Sequence, residues 1–106
     1  MQISFQYLED CHSHEKALER LQRVLNEEGV QAKIEVVRVE TIEQATKLHF
    51  SGSPTILVDG KDIDESTNSH SYALVCRAYR LEDGRISPLP SEDMIRRAIR
   101  AAKENL

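Results

Sequence analysis

The hydrophobic pattern in the first third of the chain predicts a strand, a helix and a second strand. Residues 3–8 (ISFQYL) alternate between apolar and polar side chains, as a half-buried strand does. The following apolar positions are spaced by three and four residues, which predicts a helix that begins near residues 11–13 and stops before Gly29. Residues 33–39 (KIEVVRV) are β-branched on both faces, which predicts a second and central strand.

Further elements follow in the second half of the chain. Thr41 and Gln44 have the spacing of a capping box, which predicts a short helix. Residues 55–58 predict a third strand that is followed by an Asp-Gly turn. Residues 61–71 are polar and aperiodic, so we expect a surface loop there. Residues 72–81 (YALVCRAYRL) predict a fourth strand.

A last helix completes the predicted fold. Ser91 can cap it, and its apolar residues recur on one face, which they would bury. The predicted order is β-α-β-α-β-β-α. We therefore expect an α/β fold of a single domain, residues 1–106, in which a four-stranded mixed sheet packs with three helices.

Composition and charge narrow the function classes. The chain has 106 residues, 40% of them hydrophobic and 30% charged, with a formal net charge of −4. The basic residues form no long patch, which argues against nucleic acid, and no apolar stretch is long enough to span a membrane. The N-terminus lacks the pattern of a secretion signal, so we expect a cytoplasmic protein whose two cysteines are free thiols.

Cys11 is the first candidate for chemistry. A cysteine at the start of a helix has a pKa lowered by up to about 1.5 units from its usual ~8.5. His14, one helical turn away, would help when it is protonated, whereas Glu9, Asp10 and Glu15 oppose a further negative charge nearby. The sequence therefore predicts a modestly activated thiol at position 11, with His14 as its modulator.

Three segments together resemble a known superfamily. They are Cys11-His12-Ser13-His14, the stretch GSPTILVDGKD at residues 52–62, and CRAY at residues 76–79. In this order of elements they resemble the thioredoxin superfamily, and within it small bacterial thioredoxin-like proteins with a degenerate Cys-x-x-Cys motif. The resemblance covers nearly the whole chain and implies a thioredoxin-like fold.

The resemblance also implies a site. Pro54 would follow a cis peptide bond beside Cys11, and Ser53, Pro54 and Thr55 would dock an extended substrate or glutathione. The chain departs from the dithiol members at His14, where they carry the resolving cysteine. A mixed disulfide on Cys11 would then need an external thiol, in the manner of monothiol glutaredoxins. Glutathione would be a co-substrate, and we expect no cofactor.

Cys76 and metal binding complete the candidates. With strand four at the sheet edge, Cys76 would lie about 10 Å from the strand that leads to Cys11, too far for a direct bridge, so we predict a small buried hydrophobic residue there. Cys11, His12 and His14 are too close in sequence to share one ion readily, so no metal site is predicted.

Three functions follow from these observations. The first is a thiol-dependent redox protein, a thiol–disulfide oxidoreductase that lacks the resolving cysteine and acts on disulfides or glutathione adducts through Cys11. The second is a redox-inactive module that binds an extended peptide or protein partner. The third is a carrier of a metal or an iron–sulfur cluster. The sequence does not indicate an oligomeric state.

Overall fold

The structure, a computed structural model, describes residues 1–64 and 74–104. Within these residues the chain forms strands and helices in the following order. They are β1 (Ile3–Tyr7), α1 (His14–Glu27), β2 (Ile34–Arg38), α2 (Ile42–Leu48), β3 (Thr55–Val58), β4 (Lys61–Asp62), β5 (Tyr79–Arg80), β6 (Ile86–Ser87) and α3 (Glu92–Glu104).

The main sheet has four strands in the order β2-β1-β3-β4. β1 runs parallel to β2 and antiparallel to β3, and β3 runs antiparallel to β4. The predicted four-stranded mixed sheet with three helices is therefore confirmed, although its fourth strand is β4 and not the strand predicted at residues 72–81. The prediction that the second strand is central is wrong, because β2 lies at the edge, where Val36 is 48% exposed.

Two groups of buried side chains hold the layers together. The larger one lies between the sheet and helices α1 and α3, and Phe5, Leu21, Ile56, Ile95 and Ile99 are fully buried in it. The smaller one joins Val39, Ala45 and Phe50 under α2. Gln6, whose even position places it on the opposite side of β1 from Phe5, donates a hydrogen bond to the carbonyl of Leu48 in α2 at 3.3 Å. Helix α2 therefore covers the other face of the sheet.

The predicted helix boundaries are largely confirmed. The Thr41 hydroxyl accepts a hydrogen bond from the amide of Gln44 at 3.1 Å, and the Ser91 hydroxyl accepts one from the amide of Met94 at 3.0 Å. Ser13 is the N-cap residue of α1, although its side chain makes no capping hydrogen bond. None of the helices in the described part of the chain is long and apolar enough to cross a bilayer.

The structure corrects the prediction for the segment after β3. The predicted surface loop at residues 61–71 begins with strand β4, and the remainder of that loop from residue 65, with the start of the predicted strand at residues 72–81, lies outside the described residues. Residues 74–78 are irregular except for one bridge, and Tyr79–Arg80 pairs with β6 in a separate hairpin.

The burial of residues 74–77 explains why the strand prediction was wrong. Leu74 and Val75 are 37% and 52% exposed, whereas Arg77 is 4% exposed. The segment thus has its apolar residues outside and its cation inside, which reverses the pattern on which a strand prediction depends.

Candidate functional site

Cys11 and Cys76 form a disulfide. Their Cα atoms are 6.2 Å apart, which lies within the usual range for a disulfide, and 65 positions of sequence separate them. Three predictions are therefore wrong: the thiols are not free, the pair is close enough to bridge directly, and Cys76 is exposed rather than buried. The reason is that residues 74–78 leave the expected strand position and cross towards Cys11.

Cys11 lies in a tight turn between β1 and α1, which we call the Cys11 turn (residues 8–13). Its amide donates a hydrogen bond to the carbonyl of Leu8 at 3.1 Å, and the residue is 5% exposed. The helix begins only at His14. Cys11 therefore precedes the first helical turn and its N-cap residue, Ser13.

His14 contacts the backbone of Cys11. Its Nδ1 lies 2.5 Å from the Cys11 carbonyl oxygen, and since a carbonyl only accepts, Nδ1 carries the proton in this contact. Its ring stacks on Tyr7, with 4.5 Å between the ring centroids. The structure thus places His14 beside Cys11, where its contacts stabilise the turn.

Ser53 connects the two cysteine segments. Its hydroxyl accepts a hydrogen bond from the amide of Leu8 at 2.9 Å, in the Cys11 turn. Its own amide donates to the carbonyl of Val75 at 2.8 Å, and its carbonyl accepts from the amide of Arg77 at 2.9 Å, in a parallel bridge centred on Cys76. The buried Ser53 therefore holds the Cys11 turn and the segment around Cys76 next to each other.

The other predicted binding residues lie at the same place. The peptide bond between Ser53 and Pro54 is cis, as the resemblance implied. The carbonyl of Pro54 accepts a hydrogen bond from the Tyr79 hydroxyl at 2.5 Å. The hydroxyl of Thr55 donates to the carbonyl of Gly52 at 2.5 Å. Ser53, Pro54 and Thr55 are thus beside the cysteines, as predicted, but they are buried and hydrogen bonded within the chain.

Arg77 anchors the segment of the chain that carries Cys76. Its guanidinium is paired with Asp62 at 2.8 Å and lies over the ring of Tyr79, 4.4 Å from the ring centroid. Burial opposes the charged form, but the hydrogen bond to Asp62 together with the electrostatic effects of Tyr79, Asp62 and Asp64 outweighs it, so the pKa of Arg77 is raised. The same burial raises the pKa of the Tyr79 hydroxyl, which stays protonated.

Gly52 allows the Cys76 segment (residues 74–78) to lie close to the backbone of Gly52. Its φ is +125°, and a Cβ at this position would lie 3.0 Å from the Cα of Arg77 and 3.3 Å from the carbonyl oxygen of Val75. A side chain here would push the segment away from Ser53. The glycine of the GSPT stretch is therefore needed for backbone contact with the Cys76 segment.

Sequence reasoning missed Cys76, Arg77, Tyr79 and Gly52 as parts of one site. A signal for them was present in the CRAY and GSPT stretches that carried the resemblance. The pairing between those stretches depends on a bridge between residues far apart in sequence, and no periodicity reports such a contact.

One of the acidic residues near Cys11, Glu9, is compensated by an ion pair. Arg38 binds Glu9 at 2.8 Å and Glu40 at 2.6 Å, so part of the negative charge that would oppose a thiolate is neutralised. The hydrogen bonds that Arg38 donates to Glu40 and Glu9 raise the pKa of Arg38. Among residues 1–64 and 74–104, no group of three or more His, Cys, Asp or Glu side chains is placed to hold a metal ion.

Comparison with protein families gives a match over most of the chain. The matching model covers residues 2–99 and thus includes both cysteines, Ser53 and Arg77. Neither the curated proteins nor the solved structures contain a match. The chain belongs to the family described as domain of unknown function DUF2703.

Proposed function

We propose that this protein is a thiol–disulfide redox protein with a thioredoxin-like domain, in which Cys11 and Cys76 form the redox-active pair. The observation that carries the proposal is the disulfide between these residues, formed at Ser53 between a turn of the chain and an exposed segment. Two features support the thioredoxin-like fold. β1 lies between a parallel and an antiparallel neighbour, and a cis proline lies beside the cysteine that follows β1.

The reaction is a two-electron exchange. An external disulfide is reduced to two thiols while Cys11 and Cys76 are oxidised to their disulfide, and the reverse reaction consumes two external thiols. The nearby thiol of Cys76 supplies the resolving group that is missing at position 14. The proposal therefore replaces the monothiol scheme with a dithiol one, and glutathione remains a candidate external thiol.

A cytoplasmic location, which we retain as part of the proposal, favours this use of the pair. In a reducing compartment disulfides are generally transient and serve catalysis or redox sensing. The exposure of Cys76 supports the same view, because a reductant can reach the bond without unfolding of the protein.

The contacts at Ser53 bear on the alternative of a peptide-binding module. An extended partner would pair with the amide and carbonyl of Ser53, but Val75 and Arg77 already hold both groups. The arrangement therefore favours exchange within the chain over docking of an external peptide. The third function, a carrier of metal or an iron–sulfur cluster, has no ligand group among the described residues that supports it.

The test is reversible reduction of the folded protein. We expect the Cys11–Cys76 bond to open and close in glutathione redox buffers without denaturant, as measured by thiol alkylation and mass. The wild type should reduce a model disulfide to two thiols, whereas Cys11→Ser and Cys76→Ser should each stop at a mixed disulfide and release at most one thiol. If the bond opens only after the protein is unfolded, the pair is a structural crosslink and the proposal fails.

A further inference from the structure

We infer that external thiols and disulfides exchange at Cys76, and that Cys11 is the buried partner that closes or leaves the bond. The inference rests on the proposed function and assigns different roles to its two cysteines. It reverses the role that the sequence suggested for Cys11, the cysteine between the first strand and the first helix.

The first support is the difference in exposure. Cys11 is 5% exposed and belongs to the buried set, whereas Cys76 is exposed and follows Leu74 and Val75, which are exposed as well. Thiol–disulfide exchange requires the attacking sulfur to reach the sulfur that it attacks, so access selects between the two ends of a disulfide. At this disulfide access favours Cys76.

The second support is that Cys76 is held in place by more than the disulfide. Val75 and Arg77 are hydrogen bonded to Ser53 on either side of it, and the Arg77 guanidinium is buried against Asp62 and Tyr79. These contacts do not involve sulfur, so they persist when the bond opens. The Cys76 thiol then stays beside Cys11, which gives ring closure the high effective concentration of a pre-positioned pair.

The exchange proceeds in two balanced steps. The Cys76 thiolate attacks one sulfur of an external disulfide, and the other sulfur leaves as a thiolate with the electron pair of the broken bond. The Cys11 thiolate then attacks Sγ of Cys76, forms the internal disulfide and releases the second external thiolate. The two departing thiolates take up the protons that the two protein thiols lost. Reduction of the protein by two external thiols follows the same path in reverse.

The test maps which cysteine reacts first in the reduced wild type. The protein is treated with a substoichiometric amount of iodoacetamide, quenched with acid and cleaved after lysine and arginine, which separates Cys11 on residues 1–16 from Cys76 on residues 62–77. We expect alkylation of Cys76 to exceed that of Cys11 by about tenfold or more. The same experiment in denaturant should remove the preference, because burial no longer distinguishes the thiols.

Single-cysteine variants provide the second measurement. Cys11→Ser, which keeps Cys76, should form a mixed disulfide with glutathione disulfide about tenfold faster than Cys76→Ser, which keeps Cys11. Equal rates, or a faster reaction at Cys11, would overturn the assignment and leave the redox proposal intact. If neither variant reacts while folded and the wild-type bond resists thiols, both the assignment and the redox proposal fail.

Discussion

The two segments that meet at the disulfide are stabilised in different ways. The Cys11 turn lies between a central strand and a helix, and regular backbone hydrogen bonds extend from both of its ends. The Cys76 segment, residues 74–78, has one bridge to Ser53 and depends on the buried side chain of Arg77. A buried side chain can therefore hold a cysteine in position where regular secondary structure does not. Four predictions test this difference.

Loss of the disulfide should have the largest effect. A closed loop of 65 residues corresponds in the chain-entropy relation to roughly 4 kcal/mol, so we expect reduction to lower the free energy of unfolding by about 2–4 kcal/mol. Urea titration with and without dithiothreitol measures this change, and the double variant Cys11→Ser/Cys76→Ser should match the reduced wild type. An unchanged free energy would contradict the prediction. If the buried Arg77 side chain still holds the Cys76 segment after reduction, tryptic cleavage after Arg77 should remain slow.

Loss of the Arg77 side chain should have the second largest effect on the free energy of unfolding. Arg77→Met leaves Asp62 without its partner, and we expect a loss of about 2–3 kcal/mol of unfolding free energy, less than for a fully buried pair because the Asp62 side chain is 22% exposed. Urea unfolding of the oxidised protein measures it.

Arg85→Met is the matched control for that variant. The Arg85 side chain is 76% exposed and pairs with Asp83 on the surface, so its loss should change the unfolding free energy by less than about 1 kcal/mol. If both substitutions have the same small effect, Arg77 is not the anchor of the Cys76 segment.

Substitution of Gly52 should distinguish the effect of a steric contact with Arg77 from the effect of backbone strain at a positive φ. Gly52→Ala and Gly84→Ala both put a side chain at a positive φ, but a Cβ at Gly84 meets nothing within 4 Å whereas one at Gly52 meets Arg77 at 3.0 Å. We expect Gly52→Ala to cost about 1–2 kcal/mol more than Gly84→Ala in thermal or urea unfolding. It should also slow reoxidation of the disulfide, which a stopped alkylation series would record. Equal effects of the two substitutions would show that the close contact does not matter.

The smallest effect should appear at alkaline pH. Burial raises the pKa of Tyr79, so above the unfolded value of ~10 the unfolded chain loses a proton that the folded chain retains. The contribution of Tyr79 is thus complete below pH ~10 and declines as pH rises towards the folded pKa, by up to ~1.4 kcal/mol per pH unit.

Tyr79→Phe isolates this contribution. The variant should be about 1 kcal/mol less stable at pH 7, because the hydrogen bond to the Pro54 carbonyl is lost, and the deficit should shrink above pH ~10. Urea unfolding from pH 8 to 11 of the wild type and the variant provides the measurement. Parallel pH profiles would mean that Tyr79 ionises equally in both states.

Much of the main sheet could be predicted because its signals are local. The alternation before residue 8 and the spacing after Ser13 each report one element, and the capping residues Thr41 and Ser91 were identified from their own neighbourhoods. The wrong prediction for residues 72–81 has a physical cause as well. A buried arginine and two exposed apolar residues invert the usual pattern, since their burial depends on partners elsewhere in the fold.

Part of the candidate site was predicted by the resemblance and not by local patterns. Cys11, Ser53 and Pro54 were expected together from the resemblance, and the structure brings them together. Cys76 was not expected there, because strand spacing placed it about 10 Å away and the chain does not follow that strand.

The sequence by itself determined strands β1, β2 and β3 and the three helices, because the periodicity of apolar residues and the capping side chains act within a few positions. Tertiary structure alone decided that residues 74–78 cross to Ser53 and that Cys76 meets Cys11. The reason is that these residues are held by contacts between distant parts of the chain. Arg77 is buried against Asp62 and Tyr79, and the segment lies against the backbone of Gly52, only once those parts are packed together.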